Sequence, residues 1–179
     1  MEDLEILAKI KDPETKNYGF NLLVRKYQQR IYWLIRKMVI DHDDADDLVQ
    51  EVFIKIWQKL HLFREDAKFY TWIYRIATNE TLNFLRKKRN KYFLPIYDLQ
   101  GELLQKLISS PQLDGDEVQM KLQKALLKLP DKQRLVFNMK YFDNMKYEEI
   151  SKITGTSAGG LKASYHHAVK KIEKLLKDD

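Results

Sequence analysis

The sequence predicts an all-α protein made of two small helical domains joined by a flexible linker. Apolar residues recur at steps of three and four along most of its 179 residues, which places them on one face of each helix. No long stretch alternates with the period of two that is typical of a half-buried β-strand. A segment rich in turn residues and acidic side chains interrupts the helical pattern, so we expect one helical domain on either side of it.

The first domain is predicted to occupy residues 1–92 and to contain four helices. A short leading helix stops near Asp12 and Pro13, because proline interrupts the helical pattern. Three longer apolar stripes follow, and the carboxylates from Asp41 to Asp44 suit the N-terminal end of the middle helix. The stripes consist of Phe20, Leu23, Val24, Tyr27, Ile31, Leu34, Ile35 and Met38, of Ala45, Leu48, Val49, Val52, Phe53, Ile56, Trp57 and Leu60, and of Phe69, Trp72, Ile73, Ile76 and Ala77.

Residues 93–117 differ from the rest of the chain in charge. They contain one basic and five acidic residues, which gives −4. The block 1–92 has 18 basic and 14 acidic residues (+4), and the block 118–179 has 13 and 7 (+6). We expect the acidic segment to be a flexible linker with one weak helix near 102–108. The overall charge of +6 favours an acidic partner such as nucleic acid.

The C-terminal domain, residues 118–179, ends in a helix-turn-helix pattern. A short helix from Tyr147 to Ile153, a turn at Gly155 and a second helix capped by Ser157 form this pattern. Small residues at the start of the second helix would allow a close approach to base edges. The alternative is a packed three-helix domain with solvated lysines. The outer face of the candidate recognition helix carries Ser157, Ala158, Gly159, Lys162, His166 and Lys170.

The helix that follows Phe69 carries a second candidate nucleic-acid surface. Opposite its apolar stripe, two amides lie in line with two guanidiniums, and four consecutive cations occupy 86–89. The preceding loop mixes aromatic, basic and acidic side chains, a composition that can stack on and hydrogen-bond unpaired bases. From composition alone, a solvated basic face is equally compatible. The candidate residues are Arg64, Asp66, Lys68, Phe69, Arg75, Asn79, Asn83, Arg86 and Lys87.

The second long stripe has an acidic face on the side opposite its apolar residues. Asp47, Gln50, Glu51, Ile54 and Gln58 share this face. Because phosphates repel carboxylates, the face suggests a protein partner with a basic groove. A solvated helix face is the alternative explanation.

Composition also excludes or disfavours several classes of function. The chain has no cysteine, so disulfides, thiolate zinc sites and cysteine nucleophiles are excluded. The segment 41–47 lacks the glycine and terminal glutamate of a calcium loop, and the four histidines form neither HExxH nor a triad. We therefore expect no enzyme activity, cofactor or bound metal. An acidic N-terminus and the lack of roughly 18–20 consecutive apolar residues predict a cytoplasmic protein without membrane insertion.

Four stretches of the sequence are each weak indicators of a family, but their order and spacing along the chain make the combination highly specific. They lie at 46–53 (DDLVQEVF), 63–79 (FREDAKF, then TWIYRIA and Asn79), 129–137 (LP, QR and Phe137) and 148–171. With them the sequence resembles bacterial RNA polymerase sigma factors of the extracytoplasmic-function (ECF) group of the sigma-70 family, across nearly the whole chain.

The resemblance implies a function for each surface. The first domain would be sigma region 2 and the last would be sigma region 4, which reads −35 DNA and sits on the polymerase flap. Unpaired non-template bases of the −10 element would be captured by the second candidate surface described above, so promoter DNA is an expected partner both as duplex and as single strand. An anti-sigma factor is an expected partner. Docking on the clamp helices of core polymerase would involve Asp46, Asp47, Leu48, Gln50, Glu51, Ile54 and Gln58.

The sequence departs from the family pattern at a few positions. Glu65 stands where a glycine is usual, and Ser164, His167 and Val169 align with arginines of the usual recognition helix. Fewer phosphate contacts predict weak binding of the free protein to duplex DNA. The alternative function is a stand-alone helix-turn-helix regulator that binds a palindromic duplex as a dimer. A helical enzyme is a more distant third.

Overall fold

The computed structural model describes residues 2–64, 67–91, 96–109 and 117–177. Within these ranges the chain forms nine α-helices, a short 3-10 turn at Leu60–Leu62 and no strand, which confirms the predicted all-α class. The helices are α1 (Asp3–Lys11), α2 (Lys16–Val39), α3 (His42–Lys59), α4 (Phe69–Lys91), α5 (Ile96–Ile108), α6 (Glu117–Leu127), α7 (Asp131–Tyr141), α8 (Tyr147–Thr154) and α9 (Ala158–Lys177).

A close crossing of two backbones fixes α1 against α2. A Cβ atom added at Gly19 would lie 2.8 Å from the backbone nitrogen of Ile10, so the crossing requires a glycine. At the start of α1, the hydroxyl of Tyr27 donates to the carboxylate of Asp3 at 2.8 Å. Burial, together with this carboxylate, raises the pKa of Tyr27, and the phenol therefore remains a neutral donor.

The core of the first domain lies between α2, α3 and α4. Leu23, Ile31, Val52 and Ile73 are completely buried there, as the apolar stripes predict. The side chain of Asp41 accepts a hydrogen bond from the amide of Asp44 at 2.9 Å and caps α3. The predicted capping of this helix is therefore confirmed.

The segment between the two domains is more ordered in its middle than the sequence suggested. In place of a weak helix over 102–108, α5 extends from Ile96 to Ile108. Its buried residues Leu99, Leu103 and Leu107 recur every fourth position and pack with Ile40 and Leu127. This packing stabilises a helix whose acidic composition and flanking prolines had suggested a linker.

The second domain consists of α6 to α9, and α8 and α9 form the predicted helix-turn-helix. Gly155 follows α8 with a φ of 76°, a left-handed conformation that glycine adopts without strain. The hydroxyl of Ser157 accepts a hydrogen bond from the amide of Gly160 at 3.2 Å, so it caps α9 as expected.

The two domains pack directly on one another, which the sequence did not predict. Helix α7 lies against α2, and α8 lies against α4. Leu135, Met139, Met145, Ile150 and Ile153 of the second domain belong to the same buried cluster as the core of the first. The resulting molecule has a continuous apolar interior from α1 to α9.

The crossing of α1 and α2 makes a testable prediction about stability. We expect Gly19→Ala to lower the free energy of unfolding by about 1–3 kcal/mol, because the new methyl group overlaps backbone atoms that cannot move aside as a side chain could. Urea denaturation followed by circular dichroism measures this change.

Gly101 provides the matched control, because it lies in α5 and a Cβ added there would meet no atom within 4 Å. We expect Gly101→Ala to leave stability unchanged or to raise it by up to about 1 kcal/mol, since alanine favours helix. Equal effects of the two substitutions would contradict the close crossing at Gly19.

Candidate nucleic-acid and protein interfaces

The acidic face of α3 is exposed along its length. Its polar members are all exposed, namely Asp46, Asp47, Gln50, Glu51 and Gln58. The face also includes an apolar side chain, because 55% of Ile54 is open to solvent. Ile54 is thus an apolar side chain among the carboxylates and amides of this face. Leu48 is only 2% exposed and belongs to the core, so it supports this face from behind without contributing to its surface.

The N-terminal end of α3 is already occupied by cations from neighbouring helices. The ammonium of Lys106 lies 3.2 Å from the carboxylate of Asp41 and 3.5 Å from that of Asp44. Lys88 contacts Asp44 at 2.8 Å. Partial burial disfavours the ionised form of Asp41, but the amide of Asp44 and the ammonium of Lys106 lower its pKa overall. These contacts engage Asp41 and Asp44, which precede the exposed acidic face.

Helix α4 presents its predicted polar face to solvent. Arg75, Asn79, Arg86 and Lys87 are exposed, and Asn83 is half-buried. A guanidinium nitrogen of Arg86 donates to the side-chain oxygen of Asn83 at 3.0 Å, which aligns the two groups. The amides and guanidiniums are thus close enough together to contact neighbouring bases and phosphates.

A cleft of about 510 Å³ borders this face of α4. Asn79, Asn83 and Arg86 line one wall, and Asp131 and Lys132 of α7 line another. The cleft therefore brings a cation of the second domain next to the candidate −10 surface.

The loop before α4 divides into exposed and buried residues. Arg64 and Lys68 are exposed. Phe69 is only 3% exposed, and its ring centroid lies 5.0 Å from that of Phe63. Phe69 therefore packs in the core and is not available to stack on a base, unlike the sequence-based expectation. Asp66 lies outside the described residues, as does its neighbour Glu65.

The two glycines at the start of α9 have different surroundings. A Cβ at Gly160 would lie 3.2 Å from the hydroxyl of Ser157 and 3.3 Å from a methyl group of Thr156, so this glycine packs against the turn. A Cβ at Gly159 would meet nothing within 4 Å. Of the two, Gly159 is the one that leaves open space on the outer side, next to half-buried Ala158.

The remaining candidates on α9 lie on its outer surface. Lys162, His166 and Lys170 are exposed, as is Ser157 at the N-terminal end. The ammonium of Lys162 is 5.8 Å from the ring centroid of Tyr147, a cation–π contact with the first residue of α8. The outer face of α9 therefore carries small side chains at its start and basic side chains further along, as the sequence indicated.

The burial of two polar residues between the domains was missed by sequence reasoning. Arg134 is 2% exposed and Asn138 is 4% exposed, although arginine and asparagine are rarely buried to this extent. Both lie on the inward side of α7 and contact Met38 of α2. Their position on an apolar helix face is the signal that could have identified them.

Two further observations describe the polar chemistry and the hydropathy of the described residues. No three His, Asp or Glu side chains among them converge in a way that could hold a metal ion. None of the helices in the same ranges is both long and apolar enough to span a membrane.

Two protein-family models match separate parts of the chain. The model for sigma-70 region 2 matches residues 23–91. The model for sigma-70 region 4 matches residues 119–172. The first match contains α3 and α4, and the second contains the helix-turn-helix.

Comparison with solved structures supports the fold. The structure of CnrH in complex with the cytosolic domain of CnrY has a TM-score of 0.71 and 23% identity, over 99% of this chain and 98% of that one. The sigma factor RpoE from Bartonella quintana, crystallised with the anti-sigma factor NepR, has a TM-score of 0.69 and 24% identity, over 89% and 98%.

Relatives found by sequence have a higher identity to this chain than the two solved structures have. The ECF RNA polymerase sigma factor SigW of Bacillus subtilis is 33% identical over 168 residues, which cover 89% of this chain and 90% of SigW. The RNA polymerase sigma-H factor of Pseudomonas aeruginosa is 30% identical over 185 residues, which cover 98% and 94%. Both the motifs and these relatives therefore lead to one conclusion: the chain belongs to the ECF group of sigma-70 RNA polymerase sigma factors.

Proposed function

We propose that this protein binds core RNA polymerase, directs it to promoters with −35 and −10 elements, and promotes melting of the DNA. The observation that carries this proposal is the separation of one exposed acidic face, on α3, from two exposed basic faces, on α4 and α9. In this scheme residues 1–92 form region 2, residues 118–179 form region 4, and residues 93–117 connect them.

The acidic face of α3 is proposed to dock on the clamp helices of the polymerase. Carboxylates of Asp47 and Glu51 would steer the approach to a basic groove, and Ile54 would become desolvated at the centre of the contact. Leu48, which is buried, would maintain the helix position without touching the polymerase.

The basic face of α4 is proposed to capture the −10 element. Side-chain amides such as Asn79 can donate to and accept from a base edge, and guanidiniums such as Arg86 suit phosphates. Arg64 and Lys68, which are exposed on the loop before α4, would extend this surface. Melting of the DNA needs no nucleotide hydrolysis. The free energy gained by binding flipped bases offsets the cost of unstacking them, which is about a few kcal/mol per base step.

The outer face of α9 is proposed to read the −35 element in the major groove. Gly159 has open space around it, so the backbone there can approach base edges closely. Lys162, His166 and Lys170 would contact phosphates or guanine edges further along the helix. The C-terminal domain would be held on the flap of the polymerase, which compensates for weak DNA binding by the free protein.

Regulation by an anti-sigma factor is also part of this proposal. Two proteins of the same fold have structures in complex with partners, one with an anti-sigma factor and one with a cytosolic domain of another protein. The protein would act as a recognition and strand-capture factor without catalytic activity of its own. A stand-alone dimeric regulator, by contrast, would have no need of the acidic face on α3.

Transcription with purified core polymerase tests the function directly. Core polymerase should produce promoter-specific transcripts from genomic fragments only when this protein is added, with start sites downstream of shared −35 and −10 sequences. Core polymerase alone and the protein alone are the controls. Transcripts that do not depend on the protein would remove the basis for the proposal.

The docking face on α3 makes a second prediction. Glu51→Lys should reduce affinity for core polymerase by about tenfold or more, because it places a cation opposite a basic groove. Binding is measured by fluorescence titration of labelled core. Glu14→Lys changes an exposed residue by the same two charge units outside the face and should have little effect. A similar loss in both variants would indicate a general charge effect.

The −10 surface on α4 makes a third prediction. Asn79→Ala should lower the rate of promoter opening by about tenfold, because hydrogen bonds to one base would be lost. Permanganate reactivity of unpaired thymines measures the opening, and affinity for core polymerase should not change. Asn90→Ala on the same helix is the matched control, since Asn90 is exposed but lies outside the proposed surface. Normal opening by the Asn79 variant would argue against this assignment.

A further inference from the structure

The outer face of α2 is a basic and aromatic surface that the proposed function does not use. We propose that this face binds single-stranded nucleic acid and holds the unpaired DNA strand next to the −10 element. The assignment to promoter DNA rests on the proposed function, whereas the binding of a single strand rests on the chemistry of the face. The residues of the outer face are Tyr18, Leu22, Arg25, Gln29, Trp33 and Arg36.

Helix α2 has a large surplus of positive charge. Its 24 residues include six lysines and arginines and no aspartate or glutamate. Neighbouring segments neutralise two of these cations, because Lys26 binds Asp3 at 2.7 Å and Lys37 binds Asp143. The rest of the surplus remains on the surface of the helix, where it attracts an acidic partner.

The two arginines of the outer face are not neutralised in this way. Arg25 is exposed and Arg36 is half-buried. Neither forms an ion pair with a carboxylate in the part of the chain that the structure describes. The two residues are separated by about 16 Å along the helix. Their guanidiniums are thus available to phosphates, which guanidinium groups bind with charge-assisted hydrogen bonds.

Two exposed aromatic rings lie on the same face. Tyr18 is 55% exposed and Trp33 is 43% exposed. The ammonium of Lys9 lies 5.5 Å from the ring centroid of Tyr18, which adds a cation at this end of the face. Tyr32 packs edge-on against Trp33, with 5.1 Å between the ring centroids, and supports it. Exposed rings beside cations are typical of single-strand binding surfaces, because every base offers a π-face for stacking.

The spacing of these side chains places them in one line along the helix. From Tyr18 to Arg36 they recur at steps of three and four, and the opposite side of α2 carries core residues such as Leu23 and Ile31. Tyr18 and Trp33 are separated by about 22 Å along the helix. At about 3.4 Å per stacked nucleotide, this length accommodates about six nucleotides, within the range of about 4–16 found for single-strand sites.

A polar contact separates the outer face of α2 from the acidic face of α3. The hydroxyl of Tyr32 lies 2.9 Å from Nδ1 of His42, and Nε2 of His42 lies 3.3 Å from the carboxylate of Asp46. Because carboxylates repel phosphates, the nucleic-acid surface ends at this contact. The first domain therefore offers two adjacent faces of opposite charge, which suit different partners.

The exposed rings favour a single strand over other acidic partners. In a duplex the bases are already stacked on one another, so the rings would find no base face to stack on. An acidic protein would be attracted by the arginines alone, and such a partner is one outcome of the test below. Helix α2 also packs against α4, which carries the proposed −10 surface, so an unpaired strand would lie close to both helices.

Binding of a labelled oligothymidylate tests the face in the full-length protein. The double variant Arg25→Gln/Arg36→Gln should weaken binding at low salt by about tenfold or more, because two phosphate contacts are lost. The slope of log affinity against log salt should fall by about 1.4, since each phosphate contact to a single strand contributes about 0.7. Fluorescence anisotropy measures both quantities. Unchanged affinity and slope would overturn the proposal.

The double variant Lys121→Gln/Lys128→Gln provides the matched control. Both lysines are exposed, and the variant removes the same two charge units from the second domain. It should change the affinity by no more than about twofold, because salt screens exposed charges that are distant from the bound strand. An equal loss in the two double variants would show that total charge determines binding, and would overturn the assignment to α2.

Substitutions at Trp33 test whether bases stack on the face. Trp33→Leu should lower the affinity for the oligothymidylate by about tenfold, whereas Trp33→Phe keeps an aromatic ring and should retain most of the affinity. Trp57 and Trp72 are half-buried, so quenching of tryptophan fluorescence on binding should be lost in the phenylalanine variant. Parental affinity in the leucine variant would overturn the stacking and, with it, the choice of a single strand.

Measurements with core polymerase separate this inference from the proposed function. The arginine variant should slow promoter opening by about tenfold and leave affinity for core polymerase unchanged. Loss of core affinity with normal oligothymidylate binding would identify a protein partner and overturn the inference. Oligothymidylate binding that depends on α2, without promoter-specific transcription, would support the face and contradict the function. Promoter-specific transcription by a protein whose α2 variants all bind like the parent would support the function and overturn the inference.

Discussion

The corner between α2 and α3 is the constraint on which the rest of the assembly depends. Ile40 has a φ of 67°, a conformation that β-branched residues rarely adopt and that costs about 1–3 kcal/mol. It persists because Ile40 is 5% exposed and packs against the leucines of α5. Met38 before it accepts from Arg134, and Asp41 after it caps α3 and binds Lys106. Four consecutive residues thus connect the first domain, the connecting helix and the second domain.

The sequence was sufficient for every feature that depends on local chemistry. The apolar stripes, the cap at Asp41 and the turn at Gly155 follow from residue spacing and backbone preference, and the structure has all of them. Features that depend on distant partners were not predictable in this way. The fit of α5 requires Ile40 and Leu127, and the burial of Arg134 requires a carbonyl 96 residues away. Neither can be deduced from the sequence around it.

The candidate sites also divide into features that local spacing predicts and features that it does not. Exposed positions on α3, α4 and α9 were predicted well, because each lies opposite an apolar stripe. Leu48 and Phe69 were assigned by resemblance to motifs, and both are buried. The motif records which residues occur together, but it does not separate those that form the surface from those that hold it in place. The spacing of apolar residues along a helix does separate the two groups, because it assigns both Leu48 and Phe69 to the buried stripes.

The glycine pair at the start of α9 has a consequence for the evolution of promoter preference. A Cβ at Gly160 would press on the side chains of Ser157 and Thr156 in the turn, so a substitution there requires these side chains to shift. A Cβ at Gly159 would meet no atom within 4 Å, so an added methyl group fits there without a clash. It follows that a descendant of this protein could acquire a new DNA contact by a single substitution at Gly159 and keep its fold. DNA selectivity and fold stability can therefore change separately, the first at Gly159 and the second at Gly160.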